Sequence, residues 1–283
     1  MDVAKEPKLG FNDHSNDRKE VLEKMKTFEK HNVTHLSASS INEYIANPAK
    51  WVLRVSGYKD IFGNPAMGRG SATDNAICKA LQNENFTLQD AIRSSVEDYD
   101  SFWSNSVSQT EIDLQKVEAE KSSLAKYVQT AFEYYRDRPY RPIEIQKKIS
   151  LNIDPKYPEI IGYIDFLYEE VVCDMKTVAR LPSETPESVN RQLSIYAYAE
   201  KKPAIVDYVH CTKTSSQVVS REINDLDHHF KVVNQAVSSM EKILSFSDDI
   251  QEIAFLMVPN LDDWRWSPSE KQAAKKLWSY LGS

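Results

Sequence analysis

Residues 162–178 read GYIDFLYEEVVCDMKTV, two β-rich runs joined through Glu169-Glu170. β-Branched and aromatic residues dominate both runs, and the two glutamates between them read as the turn of a hairpin. With that turn, Asp165 falls directly opposite Asp174. Opposed residues of a hairpin have Cβ atoms only ~4.5–5.5 Å apart, where like charges are destabilising. Side chains alternate along a strand, so Lys176 shares the face of Asp174. One face of a short hairpin therefore gathers two carboxylates and an ammonium among apolar neighbours. Two aligned carboxylates in such a setting call for a proton, a cation or a metal between them. Oxygen-only donors favour a hard ion such as Mg²⁺ or Mn²⁺. The alternative is a surface hairpin whose aspartates and lysine form salt bridges. A slip of one residue would carry the whole set to the opposite face.

Outward from the hairpin, residues 143–153 (IEIQKKISLNI) alternate as a strand, and AIVDYVHCTKT, residues 204–214, reads as another. Between hairpin and last strand, Thr185-Pro186-Glu187 opens a helix, with Thr185 as N-cap and proline at the first position. Lys201-Lys202-Pro203 closes it, its cations favourable at a helix C-terminus. Before Pro142 the texture is helical. LSASS leads into a helix on which Ser40 and Glu43 fit a capping box; Pro48 ends or bends it, and Trp51–Val55 follows. Residues 57–70 hold four of the seven glycines and read as a loop. Helical patterns cover about 71–82, 86–105 and 110–137, then about 223–246 and 268–280. A short charged helix is expected over Asp17–Lys30. The fold class is α/β, a small mixed β-sheet flanked by helices with an additional helical N-terminal region. Residues 1–35 are a polar lead-in, and 36–283 form one domain. Within it, 36–140 are mainly helical, 141–215 carry the sheet and its helix, and 216–283 are C-terminal helices.

The quoted residues carry a family resemblance. G-Y-I-D followed by D-M-K-T, with nine residues from aspartate to aspartate, resembles the core of the PD-(D/E)xK nuclease superfamily, in its RecB-like exonuclease branch. SASSINEYIANP, residues 37–48, resembles the opening helix of that branch, S-x-S-x-[IL]-x-x-[YF]-x-x-C-P. GRGSATDNAI, residues 68–77, resembles its G-x-x-[HE] helix. Gln192-Leu-Ser-Ile-Tyr196 matches its Q-x-x-x-Y. The resemblance implies a restriction-endonuclease-like core and a divalent-metal-dependent DNA nuclease, an exonuclease acting on DNA ends. A structure-specific endonuclease on the same core, or a non-catalytic nucleic-acid-binding or assembly module, is the alternative. It implies that Asp165 and Asp174, with Asp74 and the Met175 carbonyl, ligate Mg²⁺ or Mn²⁺. Lys176 then orients water or stabilises the reacting phosphate. Gln192 and Tyr196 contact DNA or support Lys176, and Arg69 and Lys213 are phosphate contacts. An acidic ligand on the preceding strand, found in some members, would fall at Glu144 or Gln146.

Relatives with an iron–sulfur cluster use one cysteine before the proline of the first helix and three near the C-terminus. Here Asn47 precedes Pro48, and DDWRWSPSEKQAAKKLW, residues 262–278, has no cysteine. No cluster is expected. Trp264, Trp266 and Trp278 are expected to staple the two ends of the chain instead. Tyr134-Tyr135 with Arg136 and Arg138 could stack on unpaired bases, although a helix end with a solvated tail is the plainer reading.

Composition sets the outer limits. The 283 residues carry 35 Lys and Arg against 42 Asp and Glu, a formal charge of −7. Bulk attraction to a polyanion is absent, so a DNA partner must meet a local basic groove. No G-x-x-x-x-G-K-[ST] or G-x-G-x-x-G is present, which disfavours a P-loop motor or a dinucleotide site. No apolar run reaches the ~18 residues that a membrane span needs. The polar first 20 residues do not read as a secretory signal. Cys78, Cys173 and Cys211 are scattered and read as free thiols of a reducing compartment, hence a cytoplasmic location, or the host cytoplasm for a phage protein. Spacing of His210, Cys211, His228 and His229 does not meet zinc patterns. A homo-oligomer or an association with other recombination proteins is compatible with this reading, but no interface is legible.

Overall fold

A computed structural model describes residues 27–59, 64–106 and 113–279. Helices α1 (Ala38–Ala46), α2 (Pro48–Val55), α3 (Pro65–Gln82), α4 (Leu88–Ser106) and α5 (Leu114–Asp137) precede the strands. The strands are β1 (Glu144–Leu151), β2 (Ile160–Leu167) and β3 (Val172–Val178), then β4 (Ala204–Cys211) and β5 (Ser216–Glu222) after helix α6 (Glu187–Glu200). Helices α7 (Leu226–Leu244), α8 (Ile250–Ala254) and α9 (Pro268–Leu277) complete the order. The sheet order is β1-β2-β3-β4-β5. All neighbours are antiparallel except β3 and β4, which α6 joins as a parallel crossover.

The alternation of β3 and β4 assigns the two faces. Val172, Val206 and Tyr208 pack with Leu193 and Tyr196 of α6, Ile41 of α1 and Val233 of α7. Cys173, Met175 and Val209 pack instead with Ile77 of α3 and Tyr127 and Tyr135 of α5. Leu36 adds a short parallel bridge to Ile160, its N–H donating to Glu159 and its carbonyl accepting from Ile161, both at 2.9 Å. That bridge fixes the start of α1 beside β2.

The hairpin register is the expected one. Phe166 pairs with Cys173 and Leu167 with Val172. The Tyr168 N–H closes the Glu169-Glu170 turn on the Val171 carbonyl at 2.9 Å.

Several expectations need correction. The segment 216–222 is strand, so the sheet runs past residue 215 and the C-terminal part is not all helical. β5 is a polar edge strand with little buried surface, and its sequence lacks an apolar alternation to announce it. The glycine-rich segment is not all loop. Asn64 caps α3 by accepting the Met67 N–H, Pro65 occupies the first turn, and Gly68 and Gly70 lie within the helix. A Cβ on Gly68 would come within 3.1 Å of Phe102 and Tyr99, so the glycine serves close packing of α3 on α4. α1 starts at Ala38, with the capping box formed by Ser37 and Ser40, not by Ser40 and Glu43. Asn47 ends α1 and caps α2 by accepting the Lys50 N–H. Pro186 is itself the N-cap of α6, without a side-chain cap, and Lys201 ends that helix in the left-handed region. The helix expected over Asp17–Lys30 lies mostly outside the described residues; residues 27–30 are helical. Of the three tryptophans, Trp266 and Trp278 join the core with Phe28 and Trp51, whereas Trp264 is 85% exposed and staples nothing.

Candidate active site

The β2–β3 ladder holds only the two pairs next to the turn. One step further from the turn, where Asp165 and Asp174 would meet, the ladder stops. The Met175 N–H donates to Asp165 Oδ2 at 2.8 Å, so a side-chain carboxylate takes a backbone donor. On its other side Asp165 faces Gln146, the single step missing from an otherwise continuous β1–β2 register. Gln146 has φ +53°, a left-handed conformation in mid-strand. Asp165 is thus where both neighbouring ladders open.

Groups from both faces of the sheet converge on this opening. From α3, Asp74 accepts from Gln146 Nε2 at 2.8 Å, and the same amide lies 3.4 Å from Asp165 Oδ1. Cys78, one turn after Asp74, directs its thiol to Asp74 Oδ1 at 3.7 Å. From α6, Gln192 Nε2 donates to Asp174 Oδ1 at 3.1 Å and to the Tyr196 hydroxyl at 3.0 Å. Lys176 Nζ stands 2.7 Å from Asp174 Oδ2. Asp174 is 1% exposed, while the Lys176 side chain retains 34%. Lys176 lines two clefts from beside a buried carboxylate.

The electrostatics follow from three acids sharing one cation. Burial, then the Asp174 and Asp74 charges, push the Asp165 carboxyl well above the usual range. Burial, then Asp174, lift Asp74 to about 6. Burial works against the Lys176 ammonium, but Asp174 and Asp165 outweigh it and the net shift is upward. Among the described residues, no three His, Cys, Asp or Glu side chains form a ready-made metal cage. The carboxylates are met instead by Gln146, Gln192, Lys176 and the Met175 N–H. The donor set nonetheless suits a hard cation, being all oxygen with more negative charge than Lys176 neutralises.

A cleft of about 450 Å³ opens on Asp74, Asp165, Met175 and Lys176. A second, of about 1000 Å³, begins on the other side of Lys176 and is lined by Gln192, Tyr196, Lys148 and Tyr163. Met67 and Lys176 belong to both walls. Tyr163 is 53% exposed and lies across the β1–β2 ladder from Lys148. Beneath it, Gly162 admits the Tyr196 ring; a Cβ there would lie 2.6 Å from Tyr196 Cε1.

The structure thus brings together Asp74, Asp165, Asp174, Met175, Lys176, Gln192 and Tyr196. Of the two expected phosphate contacts, Arg69 lines the smaller cleft from a buried position and Lys213 lies apart. Arg69 is 3% exposed; its guanidinium pairs with Glu120, lies 3.3 Å from the Thr177 carbonyl and stacks on Tyr127. It is a clamp between α3, α5 and β3. Lys213 sits in the exposed β4–β5 turn, its carbonyl accepting from Lys126, and lines neither cleft. Glu144 points away, paired with Lys147 at 3.0 Å. Tyr134, Tyr135 and Arg138 are neither base-stacking nor a solvated tail. Arg138 and the Tyr135 hydroxyl both reach Asp207 Oδ2 at 2.9 Å, in a buried network. Lys148 stands in no quoted motif, and Tyr163 enters G-Y-I-D only as a spacer, so neither was singled out from the sequence. A lysine opposite an aromatic on paired strands was the available signal.

The sequence matches the model of the PD-(D/E)XK nuclease superfamily over residues 35–265. The chain belongs to the PD-(D/E)XK nuclease superfamily. The match spans α1 to the loop before α9, so it includes every residue at the opening of β2 and β3. No curated protein matches the sequence significantly. Among solved structures, a "Putative exonuclease" from Eubacterium rectale is similar over 93% of each chain, with TM-score 0.51 and 10% identity. SSO0001 aligns over 59% of this chain and 85% of its own, with 17% identity and TM-score 0.32. The first likeness establishes a shared fold, the mixed sheet flanked by helices of the superfamily. Members of the superfamily are nucleases that generally use divalent metals. No helix among the described residues is long and apolar enough to cross a membrane.

Proposed function

We propose that the protein is a divalent-metal-dependent deoxyribonuclease, an exonuclease acting on DNA ends in recombination, repair or genome processing. The observation that carries this reading is the meeting of Asp74, Asp165 and Asp174 at the opening of β2 and β3, with Lys176 Nζ 2.7 Å from Asp174. Asp74, Asp165, Asp174 and the Met175 carbonyl would hold Mg²⁺ or Mn²⁺. Such an ion, when bound, polarises a phosphoryl oxygen and lowers the pKa of its water.

The chain's own groups supply the rest. Lys176 presents a fixed positive charge at the mouth of the cleft, where negative charge develops on the phosphate. Gln192, braced by Tyr196, keeps the Asp174 carboxylate in place. Lys148 can meet a backbone phosphate in the wider cleft, and Tyr163 offers a base-stacking face. The exonuclease reading follows from the resemblance to the RecB-like branch, and the name given to the Eubacterium rectale neighbour agrees with it.

The test is digestion of end-labelled linear and covalently closed circular DNA with Mg²⁺ or Mn²⁺, beside Asp174→Asn. Loss of linear DNA alone, abolished in Asp174→Asn, is expected. Cutting of closed circles selects the endonuclease. Absence of cleavage on every DNA form would leave a nucleic-acid-binding module and overturn the enzyme reading.

A further inference from the structure

Gln146 is the least comfortable residue of the sheet. Only four non-glycine residues among those described have positive φ, and the other three stand at turns or helix ends. Gln146 alone lies inside a strand, where a left-handed backbone costs energy and breaks the ladder step to Asp165. The β1–β2 register on either side is unshifted, so no extra residue accounts for the distortion. What the distortion achieves is placement of one amide. Gln146 Nε2 lies 2.8 Å from Asp74 Oδ2, 3.4 Å from Asp165 Oδ1 and 3.5 Å from Cys78 Sγ. The two carboxylates decide its orientation, since the NH₂ end must face acceptors.

We infer that Gln146 is a positioning residue of the metal site whose amide serves two states. Without a cation, its NH₂ group holds Asp74 and Asp165 beside one another and offsets part of their repulsion. With a cation, the amide turns over and offers Oε1, a neutral oxygen, from the same place. A side-chain amide suits both tasks because it carries a donor and an acceptor on one rotatable group. A carboxylate at 146 would serve only the second, adding a fourth negative charge beside one lysine. An aliphatic chain would serve neither.

The inference rests on the metal-binding part of the proposed function, and its test reads metal binding without cleavage. Mn²⁺ would be titrated into wild-type protein, Gln146→Leu, Gln146→Gly and Gln146→Glu at neutral pH without DNA, following free Mn²⁺ by electron paramagnetic resonance. Melting of each metal-free protein would be recorded alongside. Gln146→Leu and Gln146→Gly should bind Mn²⁺ about tenfold or more weakly, as expected when a group that orients metal ligands is lost. Glycine adopts the left-handed backbone without strain, so Gln146→Gly should melt within a few degrees of wild type while losing affinity. A purely structural role would not give that split. Gln146→Glu should bind Mn²⁺ more tightly yet melt lower when metal-free. Wild-type affinity in Gln146→Leu or Gln146→Gly overturns the inference and leaves the metal site standing. Absence of Mn²⁺ binding by the wild type overturns the metal site itself.

Discussion

The charges at the opening of β2 and β3 make the metal-free protein sensitive to single substitutions. Lys176 is the one cation among three acids, and removing it leaves Asp174, 1% exposed, with Gln192 as its remaining side-chain partner. Lys176→Ala should therefore cost on the order of 1–2 kcal/mol of metal-free stability, discounted for the solvent its side chain sees. It should also slow single-turnover cleavage at saturating Mn²⁺ by ~10²–10³. Near-wild-type cleavage would reduce the pair to a salt bridge. Asp74 behaves in the opposite sense. Its carboxyl titrates at about 6 in the folded protein against 3.8 for the free side chain. Folding therefore takes up a proton between those values. The resulting stabilisation is complete below the lower value and is lost as pH rises through about 6. Asp74→Asn removes a carboxylate that is charged at a cost, so it should raise metal-free stability at pH 7 by on the order of 1–3 kcal/mol. Urea melts in chelator from pH 4 to 8 should show a flatter profile for the variant. A less stable Asp74→Asn at pH 7 would contradict this account.

At the scale of elements, β2 and α6 are fitted to each other through one missing side chain. Gly162 leaves room for the Tyr196 ring, which braces Gln192 against Asp174. Gly162→Ala should cost ~1–3 kcal/mol by overpacking. In a Tyr196→Ala background the same change should cost almost nothing, which a double-mutant cycle on chemical denaturation measures. How far such relations were legible depends on what encodes them. The hairpin was legible because two β-rich runs flank a pair of acids, and the observed pairs Phe166–Cys173 and Leu167–Val172 keep the expected register. Its apolar alternation and the spacing of Asp165, Asp174 and Lys176 are local facts. β5 was not legible: SQVVSRE buries too little to show a period. The start of α3 was hidden because Gly68 and Gly70 read as loop, whereas their purpose is contact with Phe102 and Thr177, distant in sequence. The partners of Arg69, Glu120 and Thr177, were hidden for the same reason. Motif spacing reported which residues meet at the carboxylates. It could not report that a glutamine would stand between Asp74 and Asp165 in a left-handed backbone.

At the scale of the whole molecule, the two ends of the described chain share one core. Phe28, Leu36, Ile41 and Trp51 pack in the same cluster as Trp266, Ala274 and Trp278. Trp278 is fully buried, and its indole N–H donates to the Ala254 carbonyl at 2.7 Å and the Met257 carbonyl at 3.1 Å. Lys50 of α2 pairs with Glu270 of α9 at 2.8 Å, Glu270 being 3% exposed. Trp278→Ala should therefore cost ~3–5 kcal/mol, while Trp264→Ala, at an 85% exposed position, should stay within ~0.5 kcal/mol. Equal losses in thermal melts would mean that the two tryptophans are not sorted as the structure sorts them. The same closure has a consequence for synthesis. A chain emerging from the ribosome makes α1 and α2 early, but their apolar surface waits for residues 266–278 to be translated and released from the exit tunnel. Until then Trp51 and its neighbours lack their last partners, and nascent or prematurely terminated chains expose a surface that chaperones and proteases recognise. Docking of α9 onto α1 and α2 is therefore a late step in the folding of this core.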